Sequence, residues 1–131
     1  MFRGSSFHTV DVKGRLIIPA RFRDVIRADG GDRVMLSRMD GCLVAYPFEE
    51  WRRIESRILQ RAQKSESMRR FRRVFLGGAS DCACDKQERI LIPPLLRGYA
   101  GLQHDVVLVV ELHHFEIWSR EKWEKENRNL E

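Results

Sequence analysis

Asp11-Val12-Lys13-Gly14-Arg15-Leu16-Ile17-Ile18-Pro19-Ala20-Arg21-Phe22-Arg23 reads as a tight turn, a short apolar strand and a helix opened by proline. Aspartate first and glycine fourth fit a type I turn closed by a left-handed residue. Leu16 to Ile18 is an apolar run of buried-strand length. Pro19 suits the first helical position, where its missing N–H costs nothing.

The stretch is written twice. Asp85-Lys86-Gln87-Glu88-Arg89-Ile90-Leu91-Ile92-Pro93-Pro94-Leu95-Leu96-Arg97 follows at an offset of 74, with aspartate, arginine, three apolar residues, proline and the last arginine on their counterparts. Gly4-Ser5-Ser6 falls on Gly78-Ala79-Ser80 at the same offset. At an offset of 72, Leu43 falls on Phe115, Ala45 on Ile117, Tyr46 on Trp118, Glu49 on Glu121 and Trp51 on Trp123. Chance explains one such match, not the series. The chain is a tandem duplication.

Each unit reads as strand, turn, strand, short helix and hairpin. Ser6 to Val10 and Leu16 to Ile18 flank the first turn, and Pro19 to Ala28 is a helix with Phe22, Val25 and Ile26 on one face. Gly30-Gly31 stops it. Arg33 to Arg38 and Cys42 to Tyr46 form a hairpin about Met39-Asp40-Gly41. Pro47 starts a longer helix with Trp51, Ile54, Ile58 and Ala62 on its stripe. Lys64-Ser65-Glu66-Ser67 breaks it, and Met68 to Leu76 resumes with Met68, Phe71, Val74 and Phe75 inward. The second unit repeats the first, with strands at Ile90 to Ile92, Val106 to Glu111 and Phe115 to Trp118. Ser119 caps a terminal helix through Trp123, and the last residues look frayed. The boundaries are 5–50 for repeat one, 51–78 for a helical connector, 79–123 for repeat two and 124–131 for a tail.

A repeat of about 45 residues is close to the size below which a lone core rarely suffices. Alone, it leaves strand edges unpaired and an apolar face uncovered. The expected fold is therefore α+β, mainly β: one closed, pseudo-twofold β-barrel built from both repeats, with helices outside. Three cysteines argue against a disulfide scaffold, and no apolar run has the roughly 20 residues of a membrane span. The start lacks a signal-peptide apolar region, so a cytoplasmic location is expected. Lys and Arg number 24 against 19 Asp and Glu, an excess that suits a polyanion partner without demanding one.

On Met1-Phe2-Arg3-Gly4, the doubled Asp-x-x-x-Arg before an apolar strand and proline, Tyr46-Pro47…Trp51 and Arg69-Arg70…Phe75-Leu76-Gly77, the chain resembles the MraZ family. That family lies within the AbrB/SpoVT-like swapped-hairpin superfamily. The resemblance covers residues 1 to about 123. It implies a swapped-hairpin fold, a ring-shaped homo-oligomer, and transcriptional regulation of a division and cell-wall operon. The implied target is short G-rich direct repeats upstream of that operon, with repression as the usual outcome and the nucleoid as the place of action.

The residues expected to meet double-stranded DNA are Arg15, Lys13, Arg89, Lys86 and Arg3. Arg15 beside a tight turn can address guanine O6 and N7 together, and Lys13 at the tip suits phosphate. The bland alternative for Arg15 is an ion pair with Asp11, and both roles are compatible. Asp11, Gly14 and Asp85 are expected to structure the turns. The second turn is weaker: Glu88 replaces glycine, so a left-handed residue there is strained, its geometry is open to change, and its charge repels phosphate.

Arg69, Arg70, Arg72 and Arg73 read better as a solvated or subunit-contact face than as a nucleic-acid patch. Cys82-Ala83-Cys84 with His113-His114 lacks zinc spacing, so neither metal nor cofactor is expected. No nucleophile motif is present and the chain is not expected to be an enzyme. The rival functions are an AbrB-like antitoxin and a structural ring without DNA.

Overall fold

Alternating burial along the strands sets the architecture. The computed structural model describes residues 4–28, 31–61 and 65–129. Its elements in order are β1 (Gly4–Thr9), β2 (Arg15–Ile17), α1 (Ala20–Ile26), β3 (Arg33–Met39), β4 (Cys42–Pro47), α2 (Phe48–Arg61), α3 (Glu66–Gly77), β5 (Ser80–Ala83), β6 (Arg89–Leu91), α4 (Pro94–Ala100), β7 (Asp105–Val110), β8 (Phe115–Ser119) and α5 (Arg120–Arg128). Among the described residues strands hold 34% and helices 40%, so this α+β fold is shared about evenly between sheets and helices.

Six strands form one antiparallel sheet in the order β1-β7-β8-β4-β3-β5, and β2 pairs with β6 in a separate two-stranded ribbon. Exchanging the repeats, β1 for β5 and so on, reproduces that order read backwards. The duplication is thus a structural pseudo-twofold. Four strand pairs join the two repeats: β1 lies on β7, β5 on β3, β4 on β8 and β2 on β6. Neither repeat keeps its own first strand beside its own hairpin.

The large sheet is open, ending at β1 and β5, where a closed barrel was expected. The difference lies in β2 and β6. They leave the sheet after β1 and β5, touch it through the Val10–Leu16 bridge, and pair with each other across one of its faces.

Both faces of the sheet are covered. Val34, Leu36, Leu43, Ala45, Val106, Leu108, Phe115 and Ile117 point to the ribbon side, where Leu16 and Ile90 join Phe22 of α1 and Leu96 of α4. The residues between them, including Val44, Tyr46, Val107 and Trp118, point to the other side, where Trp51, Ile58 and Phe75 of α2 and α3 cover them. Trp123 of α5 packs there too. Burial on both faces explains why β4 is buried at all six positions.

Local chemistry fixes the ends. Asp40 and Gly41 both have positive φ, 57° and 82°, as a two-residue hairpin turn requires. Ser65 and Ser119 accept from the Met68 and Lys122 amides at the starts of α3 and α5. Several boundaries differ from expectation. Pro19 is the N-cap of α1, not its first residue; in α4 the doubled proline puts Pro93 at the cap and Pro94 inside. Val74 of α3 is exposed, and Leu76 packs in its place. Helix α5 runs on to Arg128, past the expected frayed end at Trp123. Gly30, Ala62 and Lys64 lie outside the described residues.

Candidate nucleic-acid interface

The two Asp-x-x-x-Arg stretches close the ends of the ribbon region, and each is built around its aspartate. In the first turn the Gly14 amide donates to the Asp11 carbonyl at 2.9 Å, and the Asp11 amide to the Arg15 carbonyl at 3.0 Å. The Asp11 carboxylate then ties the loop from within. Its Oδ1 accepts the amides of Lys13 and Arg15, both at 2.9 Å, and its Oδ2 accepts Arg15 Nε at 2.7 Å. The second turn repeats this with Gln87, Arg89 and Asp85 at 2.8, 2.9 and 2.9 Å. Asp-x-x-x-Arg is a self-contained device: the carboxylate fixes the backbone and one edge of the guanidinium.

These bonds favour the charged carboxylate. The Arg15 amide, with the Arg15 guanidinium and the Lys13 amide, holds Asp11 down at about 2, against an ordinary 3.8. Asp85 is lowered for the same reasons. A depressed carboxylate contributes stability that is present above its unfolded value and lost as pH falls through its folded value. The Asp11 carboxylate therefore stays largely ionised across pH 3 to 4, where free aspartates protonate, and the stability it lends the turn falls away as pH drops towards 2. A carboxyl-detected NMR titration of Asp11 should show a midpoint near 2. An ordinary midpoint would contradict these bonds.

Arg15 and Arg89 sit on the outward face of the ribbon, with side chains 33% and 24% exposed. Their ladder partners are Leu91 and Ile17, themselves exposed, so each guanidinium lies across from an aliphatic side chain. Among the described residues only Nε of Arg15 has a protein partner, Asp11. The two terminal nitrogens remain as a forked donor pair.

The second turn departs from expectation in a specific way. Glu88 does adopt the left-handed conformation, φ 61°, matching Gly14 at φ 87°, and the turn keeps the geometry of the first. Its carboxylate meets Arg27 at 3.1 Å and Arg23 at 3.5 Å, two arginines of repeat one. Part of the anionic charge expected to repel phosphate is thereby neutralised. The counterpart of Arg23 is Arg97, whose guanidinium lies over Gly14, 2.6 Å from where a Cβ would stand. Gly14→Ala adds that crowding to a strained φ, and should cost about 1–3 kcal/mol of stability in urea denaturation.

The tips carry their cations at different places. Lys13 is exposed at the third position of the first turn, and its counterpart is Gln87. Lys86 is exposed at the second position of the other, opposite Val12. Arg3 lies outside the described residues. Sequence reasoning passed over Val12, Ile17 and Leu91; the offset of 74, which pairs Ile17 with Leu91, was the available signal. The cysteines and histidines do not converge. Cys82 belongs to the ribbon-side core, while His114 stacks on Tyr46 at 4.4 Å. Among the described residues no helix is long and apolar enough to cross a membrane.

Comparison with known proteins gives one consistent answer. A family profile described as "MraZ protein, putative antitoxin-like" matches twice, over residues 1–74 and 75–131. A protein of Desulforapulum autotrophicum is 63% identical over 131 residues, covering all of this chain and 88% of its own length. One from Desulfosudis oleivorans is 54% identical, covering 99% and 87%, and one from Natranaerobius thermophilus 43%, covering 100% and 90%. Each of the three is named "Transcriptional regulator MraZ".

Proposed function

Because this chain belongs to the MraZ family, we propose that it is a sequence-specific DNA-binding transcriptional regulator that reads the duplex through its Asp-x-x-x-Arg turns. One observation carries the reading: the Arg15 guanidinium is fixed on one edge by Asp11 at 2.7 Å and leaves its terminal donors to solvent. A preorganised fork matches guanine O6 and N7 in the major groove, and little side-chain entropy remains to be lost on contact. The same groove admits a two-stranded ribbon. Lys13 and Lys86 contribute phosphate contacts, Arg89 provides a second, more enclosed fork, and Arg3 belongs to the same DNA-contacting set.

One or two forks are too few for tight binding. The chain works as a ring-shaped homo-oligomer of swapped-hairpin units, with 51–78 as connector and Arg69, Arg70, Arg72 and Arg73 at subunit contacts. Neighbouring subunits then engage successive direct repeats, and avidity supplies the affinity. Repeats about 10 bp apart stay on one side of the duplex. The target on this reading is G-rich repeats upstream of its own division and cell-wall operon, with repression as the result.

Footprinting on the DNA upstream of the chain's own coding sequence, at two salt concentrations, tests this. Regularly spaced protections that weaken steeply with salt are expected, since each phosphate contact releases counterions. Uniform protection along the fragment would overturn sequence-specific reading.

A further inference from the structure

At the apex of the first turn stands a side chain that the protein leaves unused. Val12 is 98% exposed. Single exposed aliphatics are common and need no explanation on a mobile loop, but this loop is not free. Val12 lies between Asp11 and Lys13, and the Asp11 carboxylate holds the Lys13 and Arg15 amides at 2.9 Å. The isopropyl group is thus presented from a fixed backbone, next to a lysine and three residues from the Arg15 fork.

The ribbon behind it has the same texture. Ile17 is 60% exposed and Leu91 58%, each across the ladder from an arginine. Methyl groups alternating with guanidinium forks match the chemistry of the major groove, where purine edges offer acceptors and thymine alone offers a methyl. A surface meant only for phosphate has no use for the aliphatic half of that pattern. The second turn, whose counterpart to Val12 is Lys86, lacks the apical methyls, so the two turns are not equivalent readers.

We infer that Val12 is a specificity-determining residue, packing against the C5-methyl of a thymine close to the guanine that Arg15 addresses. Val12 stands three residues from Arg15 on a loop tied by the Asp11 carboxylate, which puts that thymine near the guanine. The inference rests on the DNA-reading role of the turn, and its test separates the two.

The protein is used to select a duplex from a random pool, and the selected duplex is remade with each thymine replaced in turn by deoxyuridine, which lacks only the methyl. Binding should weaken by about fourfold at one position, the worth of roughly one buried methyl group. Val12→Ser, which disturbs no packing at so exposed a site, should bind the thymine and deoxyuridine forms alike at that position. Its dependence on salt should stay that of the parent. Equal affinity of the parent for every substituted duplex, or a selected duplex without thymine, would overturn the role of Val12 and leave DNA reading by Arg15 in place. Discrimination that persists in Val12→Ser would assign the methyl to another side chain and likewise overturn it. Failure to select any duplex would overturn both readings together.

Discussion

Arg15→Ala is expected to weaken binding to the selected duplex by about 1–3 kcal/mol per subunit contact, or roughly 5- to 150-fold, and to relax the preference for guanine at one position. The loss goes beyond one charge. Asp11 would remain beside the groove with its carboxylate still held by the Lys13 amide and the residue-15 amide, but without the guanidinium that offsets it. An unpartnered anion next to phosphate adds repulsion to the missing contact. Arg15→Lys should rescue little, because an ammonium cannot fork across O6 and N7. Arg89→Ala should cost less, its side chain being more enclosed. Lys13→Ala should weaken binding about equally on all sequences and flatten the salt dependence. Titration of labelled duplex against each variant provides the measurement. Equal losses for Arg15→Ala and Lys13→Ala on every sequence would mean that Arg15 too is only a phosphate contact.

The second large effect concerns the fold. Phe22 of α1 and Phe115 of β8 are both fully buried and meet edge to face, 5.2 Å between ring centres at 71°. One comes from each repeat. Phe115→Ala removes a ring from the shared core and should cost about 3–5 kcal/mol, which for a chain of this size lowers the melting temperature by roughly 10–20 °C. Unfolding should remain a single transition with every probe shifted together, because β1–β7, β3–β5, β4–β8 and β2–β6 leave neither repeat a complete sheet of its own. Calorimetry at fixed protein concentration shows this directly. A melt that splits in two, with one half unmoved, would mean that each repeat has its own core.

The repeated Asp-x-x-x-Arg stretch made the twofold relation visible in the sequence, since alignment at an offset of 74 needs no knowledge of pairing. The Asp40-Gly41 hairpin was equally legible, because its two positive φ angles are a local requirement. What stayed hidden depended on partners distant in sequence. Leu16 and Ile90 are buried in either a barrel or a separate ribbon, so their hydrophobicity cannot say whether β2 and β6 join the main sheet. Glu88 read as a strained replacement for glycine. Its partner Arg27 lies 61 residues away, so the ion pairs with Arg27 and Arg23 that accompany its left-handed backbone could not be read from the turn alone. Val74 was placed inward by helical spacing alone, whereas the sheet beneath α3 is filled by Phe71, Phe75 and Leu76. Chemistry confined to one turn was readable; chemistry that crosses the pseudo-axis was not.

The claim that the first turn delivers its guanidinium to the duplex is tested most directly by NMR of the arginine Nε–Hε group of Arg15 as selected duplex is added. A large shift for Arg15, a smaller one for Arg89 and little change for Arg69, Arg70, Arg72 and Arg73 is the predicted result. Saturable binding that leaves the Arg15 signal where it was and moves those of the connector arginines would place the duplex on the opposite face of the sheet, and the account would be wrong.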